Sequence, residues 1–133
     1  MKMKKLILIS VLLVLFISCK ENEPECICTT EFRTLTVSVV DSLNNPIDSL
    51  DVNIVDEFGR IIKPLEKQLP YQPALYVVVD DSYVNYLSTE PLLIYFTATD
   101  SLGRRAYTFF LVNTDECKCH VQKVSGTDKI VLK

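Results

Sequence analysis

Two Cys-x-Cys pairs bracket almost all of the chain that can fold. Cys26 and Cys28 stand near the start of the 133-residue sequence, and Cys117 and Cys119 near its end. In an extended strand, residues two apart point to the same face. Laid side by side and antiparallel, the two segments would set Cys26 opposite Cys119 and Cys28 opposite Cys117. Two such bridges would staple the start of the domain to its end. Each closes a loop of about 90 residues, worth roughly 4–5 kcal/mol by chain entropy, and the second adds far less once the first has formed. Four cysteines allow three connectivities, so the pairing itself stays open. A bridge within one Cys-x-Cys is disfavoured by the geometry a disulfide needs.

The same cysteines, with His120, offer an alternative as a zinc-binding module: four thiolates, or three and an imidazole. Zinc accepts such ligands tetrahedrally, but its common spacing is Cys-x₂₋₄-Cys. A redox dithiol would show Cys-x-x-Cys. An oxidising, exported setting favours disulfides. The expectation is therefore that Cys26, Cys28, Cys117 and Cys119 are disulfide cysteines, with no metal and no cofactor.

Export is read from residues 1–18. Lys2, Lys4 and Lys5 form a basic start, and residues 6–17 are Leu, Ile, Val and Phe apart from Ser10. Twelve apolar residues are too few for a membrane span, which needs about 20. A basic start, a short apolar core and a small residue read as a cleaved secretory signal. Leu15-Phe16-Ile17-Ser18-Cys19 then resembles the lipobox of bacterial lipoproteins. That resemblance implies cleavage before Cys19, a diacylglyceryl group on its thiol and acylation of its new amino group. Two or more acyl chains give stable attachment where one does not. It also accounts for the odd fifth cysteine, since four remain to pair.

Residues 19–30 are expected to be the lipidated cysteine and an acidic tether. Lys20-Glu21-Asn22-Glu23-Pro24-Glu25 offers nothing apolar to a core and reads as a solvated spacer. A Glu-rich run directly after the lipid cysteine also resembles the surface-export signals of some Gram-negative lipoproteins. The implied location is the cell envelope, anchored to the outer membrane and facing either side of it. Beyond residue 18 the charge is −6, because all 17 acidic residues but only 11 of the 14 basic ones lie there. Nucleic-acid binding needs a basic footprint, and docking on anionic lipid needs one too. The expected partners are membrane lipid, through Cys19, and an envelope protein or glycan.

Residues 31–133 read as one domain, long enough to bury a core without a metal. From Glu31 onward apolar residues alternate with Thr and Ser, as in Thr34-Leu35-Thr36-Val37-Ser38-Val39, the pattern of a half-buried strand. Further strands are expected at 50–55, 60–63, 75–79, 92–99, 104–112, 120–124 and 129–132. Only 81–88 could form a helical turn. Pro64, Pro70 and Pro73 break up 63–74, which reads as a connector or an irregular edge because proline cannot donate to a ladder. Short strands separated by turn signals predict an all-β fold.

Three turns share one chemistry: Asp41-Ser42-Leu43-Asn44-Asn45, Asp56-Glu57-Phe58-Gly59-Arg60 and Asp100-Ser101-Leu102-Gly103-Arg104. Asp at the first position can accept from backbone N–H groups ahead of it, and Asn or Gly at the fourth can adopt positive φ. The pattern suits a hairpin on a type I turn. Calcium loops are the other reading, but calcium needs six to eight convergent oxygens. The stretch from Val37 through the Asp41 turn and Pro46 to the apolar alternation ending at Ile54 resembles the opening of carboxypeptidase-regulatory-like and transthyretin-like β-sandwich modules. Those modules are mostly non-catalytic, and the resemblance implies a single Ig-like or transthyretin-like antiparallel β-sandwich.

Nothing in the sequence marks an enzyme. His120 is the only histidine. As a general base it would need a nucleophile and an orienting carboxylate, and no motif marks either. Its neighbours alternate as His-Val-Gln-Lys-Val, so it is expected to point outward from a strand. The six tyrosines, 71, 76, 83, 86, 95 and 107, are expected to pack on sheet faces with wet hydroxyls. Stacking on a sugar near Asp80 and Asp81 is the functional alternative. The expected function is thus a lipid-anchored envelope lipoprotein whose non-catalytic β-sandwich serves as a binding or structural module.

Overall fold

A computed structural model describes residues 25–68 and 70–133. The expected signal segment, Cys19 and the part of the expected tether up to Pro24 lie outside the described residues. The described chain is an all-β sandwich of eight strands: β1 (Thr34–Val40), β2 (Leu50–Asp56), β3 (Ile61–Gln68), β4 (Leu75–Asp80), β5 (Leu92–Thr99), β6 (Arg105–Thr114), β7 (Val121–Gly126) and β8 (Lys129–Val131). A 3₁₀ turn, Asp81–Tyr83, follows β4.

The strands form two sheets, ordered β4-β1-β8 and β3-β2-β5-β6-β7. Alternation places one set of side chains between them: Val37 and Val39 of β1, Tyr76 and Val78 of β4, Ile94 and Phe96 of β5, all at most 1 % exposed. Burying each such side chain stabilises the fold by roughly 1.5–3 kcal/mol. The pairings are antiparallel except one. β8 runs parallel to β1, with Ser38, Val39 and Val40 opposite Lys129, Ile130 and Val131. β7 belongs to the other sheet, so the chain crosses between sheets at 127–128 and meets β1 from the same direction.

Strand β3 runs through Pro64 to Gln68, further than the three prolines suggest. It is an edge strand, and its register with β2 shifts between the pairs Ile54↔Lys63 and Val52↔Glu66. Pro64 stands inside that shift, where its missing N–H breaks no regular ladder. The connection to β4 is correspondingly short, closed by hydrogen bonds from Tyr71 N–H to Leu75 O and from Leu75 N–H to Gln72 O.

All three Asp turns are built alike. The Oδ1 of Asp41, Asp56 and Asp100 each accepts from the backbone N–H two and four residues on. Asn44, Gly59 and Gly103 take φ of 70°, 75° and 79°. The second and third turns close the β2–β3 and β5–β6 hairpins. The first joins no hairpin, because β1 and β2 lie in different sheets. There the same turn launches a crossover.

Strand directions define two poles. At one lie the start of β1, the end of β4, the β2–β3 hairpin and the β6–β7 connection. At the other lie the Asp41 and Asp100 turns and the chain end around Leu132, whose N–H donates to Val40 O. The described chain begins at the first pole.

Candidate functional site

The first pole gathers both Cys-x-Cys pairs. Cys26 is bonded to Cys117 and Cys28 to Cys119, each pair with Cα atoms 5.3 Å apart. The pairing differs from the antiparallel arrangement the spacing suggests, since both bridges span the same 91 residues and the two segments run in the same sense. Cys117 and Cys119 do not sit in a strand, so facing-strand geometry does not govern them. They belong to a fourth Asp turn. Asp115 O accepts from Lys118 N–H at 3.0 Å, Asp115 Oδ1 accepts from Cys119 N–H at 2.7 Å, and Lys118 takes φ 52°. Asn or Gly would have signalled this turn in the sequence; Lys118 hides it.

His120 follows directly and is buried, at 6 % exposure, rather than pointing out of a strand. β7 begins only at Val121, so the alternation that placed His120 outside does not reach it. Asp81 supplies the reason for burial. His120 Nδ1 lies 2.7 Å from Asp81 Oδ2, and Nε2 lies 2.8 Å from Thr29 Oγ1. Asp81 also accepts from Arg33 N–H and Val121 N–H, each at 2.8 Å. One carboxylate therefore ties together the N-terminal segment, the 3₁₀ turn and the start of β7. Burial raises the Asp81 carboxyl, but the Arg33, His120 and Val121 hydrogen bonds outweigh it, and the net shift is downward. In the tautomer with its proton on Nδ1, His120 donates to the Asp81 carboxylate and its Nε2 accepts from the Thr29 hydroxyl.

An open hollow of about 360 Å³ adjoins this cluster, lined by Thr29, His120, Asp115 and Glu116 with Ile27 and the Cys117 and Cys119 residues. Hydroxyl, imidazole and carboxylate stand in the order a nucleophile, its base and the orienting group take in acyl transfer. Residues 29, 81 and 120 come from three distant stretches, so no local motif could have marked Thr29 or Asp81.

With both pairs oxidised, the four sulfurs are not thiolates, the species that binds zinc. A zinc site using them and His120 would require reduced protein. Asp41, Asp56 and Asp100 commit their carboxylates to their own turns and do not converge. Asp56 also accepts from Tyr86 Oη at 2.6 Å and pairs with Arg60 Nε at 2.5 Å. Asp100 pairs with Arg104 Nε at 2.7 Å.

The tyrosines divide. Tyr76 is fully buried and its hydroxyl donates to Ile47 O at 2.7 Å, so it is not wet. Tyr71 and Tyr107 are 68 % and 69 % exposed. Asp80 and Asp81 are occupied with the 3₁₀ turn and His120. Compared with known proteins, the chain matches no family model, no curated sequence and no solved structure.

Proposed function

We propose that this chain is a lipoprotein of the cell envelope, held in the outer membrane through acylated Cys19, with a non-catalytic β-sandwich acting as a binding or structural module. The observation that carries this reading is the double bridge at the point where the tether meets the body. Seven residue steps separate Cys19 from Cys26, at most about 25 Å of extended chain. Tension on the lipid would pass along that tether to Cys26 and then, by covalent bonds, to the β6–β7 connection. The Thr29–His120–Asp81 cluster acts in this reading as a second, polar latch on the same segment. The partner is an envelope protein or a glycan.

The test is Cys19→Ser. The variant is expected in the soluble fraction or as unprocessed precursor, with the acyl mass lost. Unchanged membrane fractionation and unchanged mass would overturn the anchor. Thiol titration in denaturant without reductant is expected to find no free thiol in the lipidated protein.

The hydroxyl–imidazole–carboxylate chain favours one second reading, acyl transfer. Thr29 Oγ1 would bond to the acyl carbon and pass its proton through His120 Nε2 to the leaving group, and water would release the acyl group. A fluorophosphonate probe separates the two readings: labelling abolished by Thr29→Ala supports acyl transfer, and no labelling supports the latch.

A further inference from the structure

We propose that the outer face of the five-stranded sheet is a self-association surface that seats a second copy of this chain about a two-fold axis along β5. Three cross-strand rows carry the inference. Val55, Tyr95 and Phe109 are directly opposite one another on β2, β5 and β6. Asn53, Thr97 and Tyr107 form the next row, and Asp51, Thr99 and Arg105 the third. Their sequence neighbours Val52, Ile54, Phe96, Ala98 and Ala106 are buried against the other sheet, so these nine side chains face outward. Phe109 and Tyr107 remain 51 % and 69 % exposed, and Ile61, opposite Val55, 65 %. Aromatic side chains left this open present roughly 100 Å² each, and contiguous apolar patches of a few hundred Å² mark interaction sites.

The order within the rows selects the occupant. Each row is centred on β5 and its ends are complementary: valine and phenylalanine, amide and phenol, acid and base. A two-fold axis along β5 exchanges β2 with β6. It sets Asp51 over Arg105 of the second copy, Asn53 over its Tyr107 and Val55 over its Phe109, each twice. A two-fold interface needs such a self-complementary patch, and face-to-face sheets pack with strands within about 30° of each other. The chain after residue 18 carries a net charge of −6, so two copies repel in general. The three rows hold one acid and one base and are neutral. An axis along the strands also leaves the first pole of both copies at the same end. On the lipoprotein reading both tethers then meet one membrane, whereas an axis across the strands would point them apart.

The experiment uses full-length protein extracted from membranes in detergent, with protein mass read by sedimentation. Wild type is expected at twice the chain mass. Arg105→Asp alone sets two carboxylates face to face across the axis, and Asp51→Arg alone sets two guanidinium groups together. Each single variant is therefore expected to weaken association at least tenfold. The double variant Asp51→Arg with Arg105→Asp restores both pairs and is expected to recover the dimer. Both positions are exposed, so an unchanged far-UV circular dichroism spectrum checks the fold. Monomeric wild type at about 100 μM would overturn the proposal and leave the face to another partner. Single variants that dissociate without recovery in the double would overturn this axis. Dimerisation of the soluble Cys19→Ser chain tests the surface apart from the anchor, because membrane fractionation reads the anchor alone.

Discussion

At Asp56, burial raises the carboxyl, yet hydrogen bonds from Tyr86, Arg60 and Phe58 outweigh it and hold it at about 2, against an ordinary 3.8. A carboxyl depressed on folding contributes stability that is complete above its unfolded value and lost as the pH falls through its folded one. Asp41, Asp81 and Asp100 shift in the same direction. Urea unfolding is therefore expected to show falling stability from about pH 4 to pH 2, with a shallower fall in Asp56→Asn. Backbone strain yields a prediction of opposite sign. Lys118 holds φ 52° with its side chain exposed, and the left-handed region costs a non-glycine residue roughly 1–2 kcal/mol. Lys118→Gly is expected to stabilise the fold by about 1 kcal/mol, raising the urea midpoint. Gly126 is the converse. A Cβ there would stand 2.2 Å from Phe110 Cδ1, at φ 143°. Phe110 is 1 % exposed and has little room to yield. Overpacking and strain together predict a loss of about 2–4 kcal/mol for Gly126→Ala, read as a lower urea midpoint.

Among the elements, the crossover from β1 to β2 depends on Tyr76 of β4, which reaches across to bond Ile47 O at 2.7 Å. Burial pushes the Tyr76 hydroxyl up to about 12, with the charge of Asp48 adding to it. A group raised on folding contributes stability that is complete below its unfolded value, here 10, and lost as the pH rises through about 12. Tyr76→Phe is expected to cost about 1–3 kcal/mol at neutral pH by leaving a carbonyl unpaired, and to flatten the alkaline limb of a stability profile. The strands themselves were legible. Period-two alternation placed β1, β2 and β5 to within a residue or two, because each buries one face only. The sequence pattern ends β3 at Lys63, since it shows a proline but not that its strand lies at an edge where a register shift can absorb it. Alternation misplaces His120 because its partner, Asp81, lies 39 residues away and alternation carries no information about distant carboxylates. Spacing and an exported setting mark the four cysteines as disulfide-bonded but leave their partners open, because the fourth turn lacks the Asn or Gly that marks the other three.

For the whole molecule, the two bridges tie the described chain's beginning to a point near its end, and their energetics are those of a shared loop. Each spans 91 residues, and closing a loop of that size removes roughly 4–5 kcal/mol of unfolded-state entropy. The second bridge closes only the few residues between the first pair and itself. Stability should thus depend on whether any bridge remains, and little on which one. Removing Cys28 and Cys119 together is expected to cost about 2 kcal/mol, and removing Cys26 and Cys117 about the same, apart from small packing differences. Removing all four is expected to cost about 6–7 kcal/mol, the small loop and the 91-residue loop together, beyond the sum of the two single-bridge losses. The denaturant slope supplies an independent check. An unbridged unfolded chain expands and exposes more surface, so m should rise in the fourfold variant and stay near wild type in either double variant. Equal losses for each bridge that simply add in the fourfold variant would show that the disulfides act through local native contacts. A fourfold loss beyond that sum would show that they act by joining the chain's two ends.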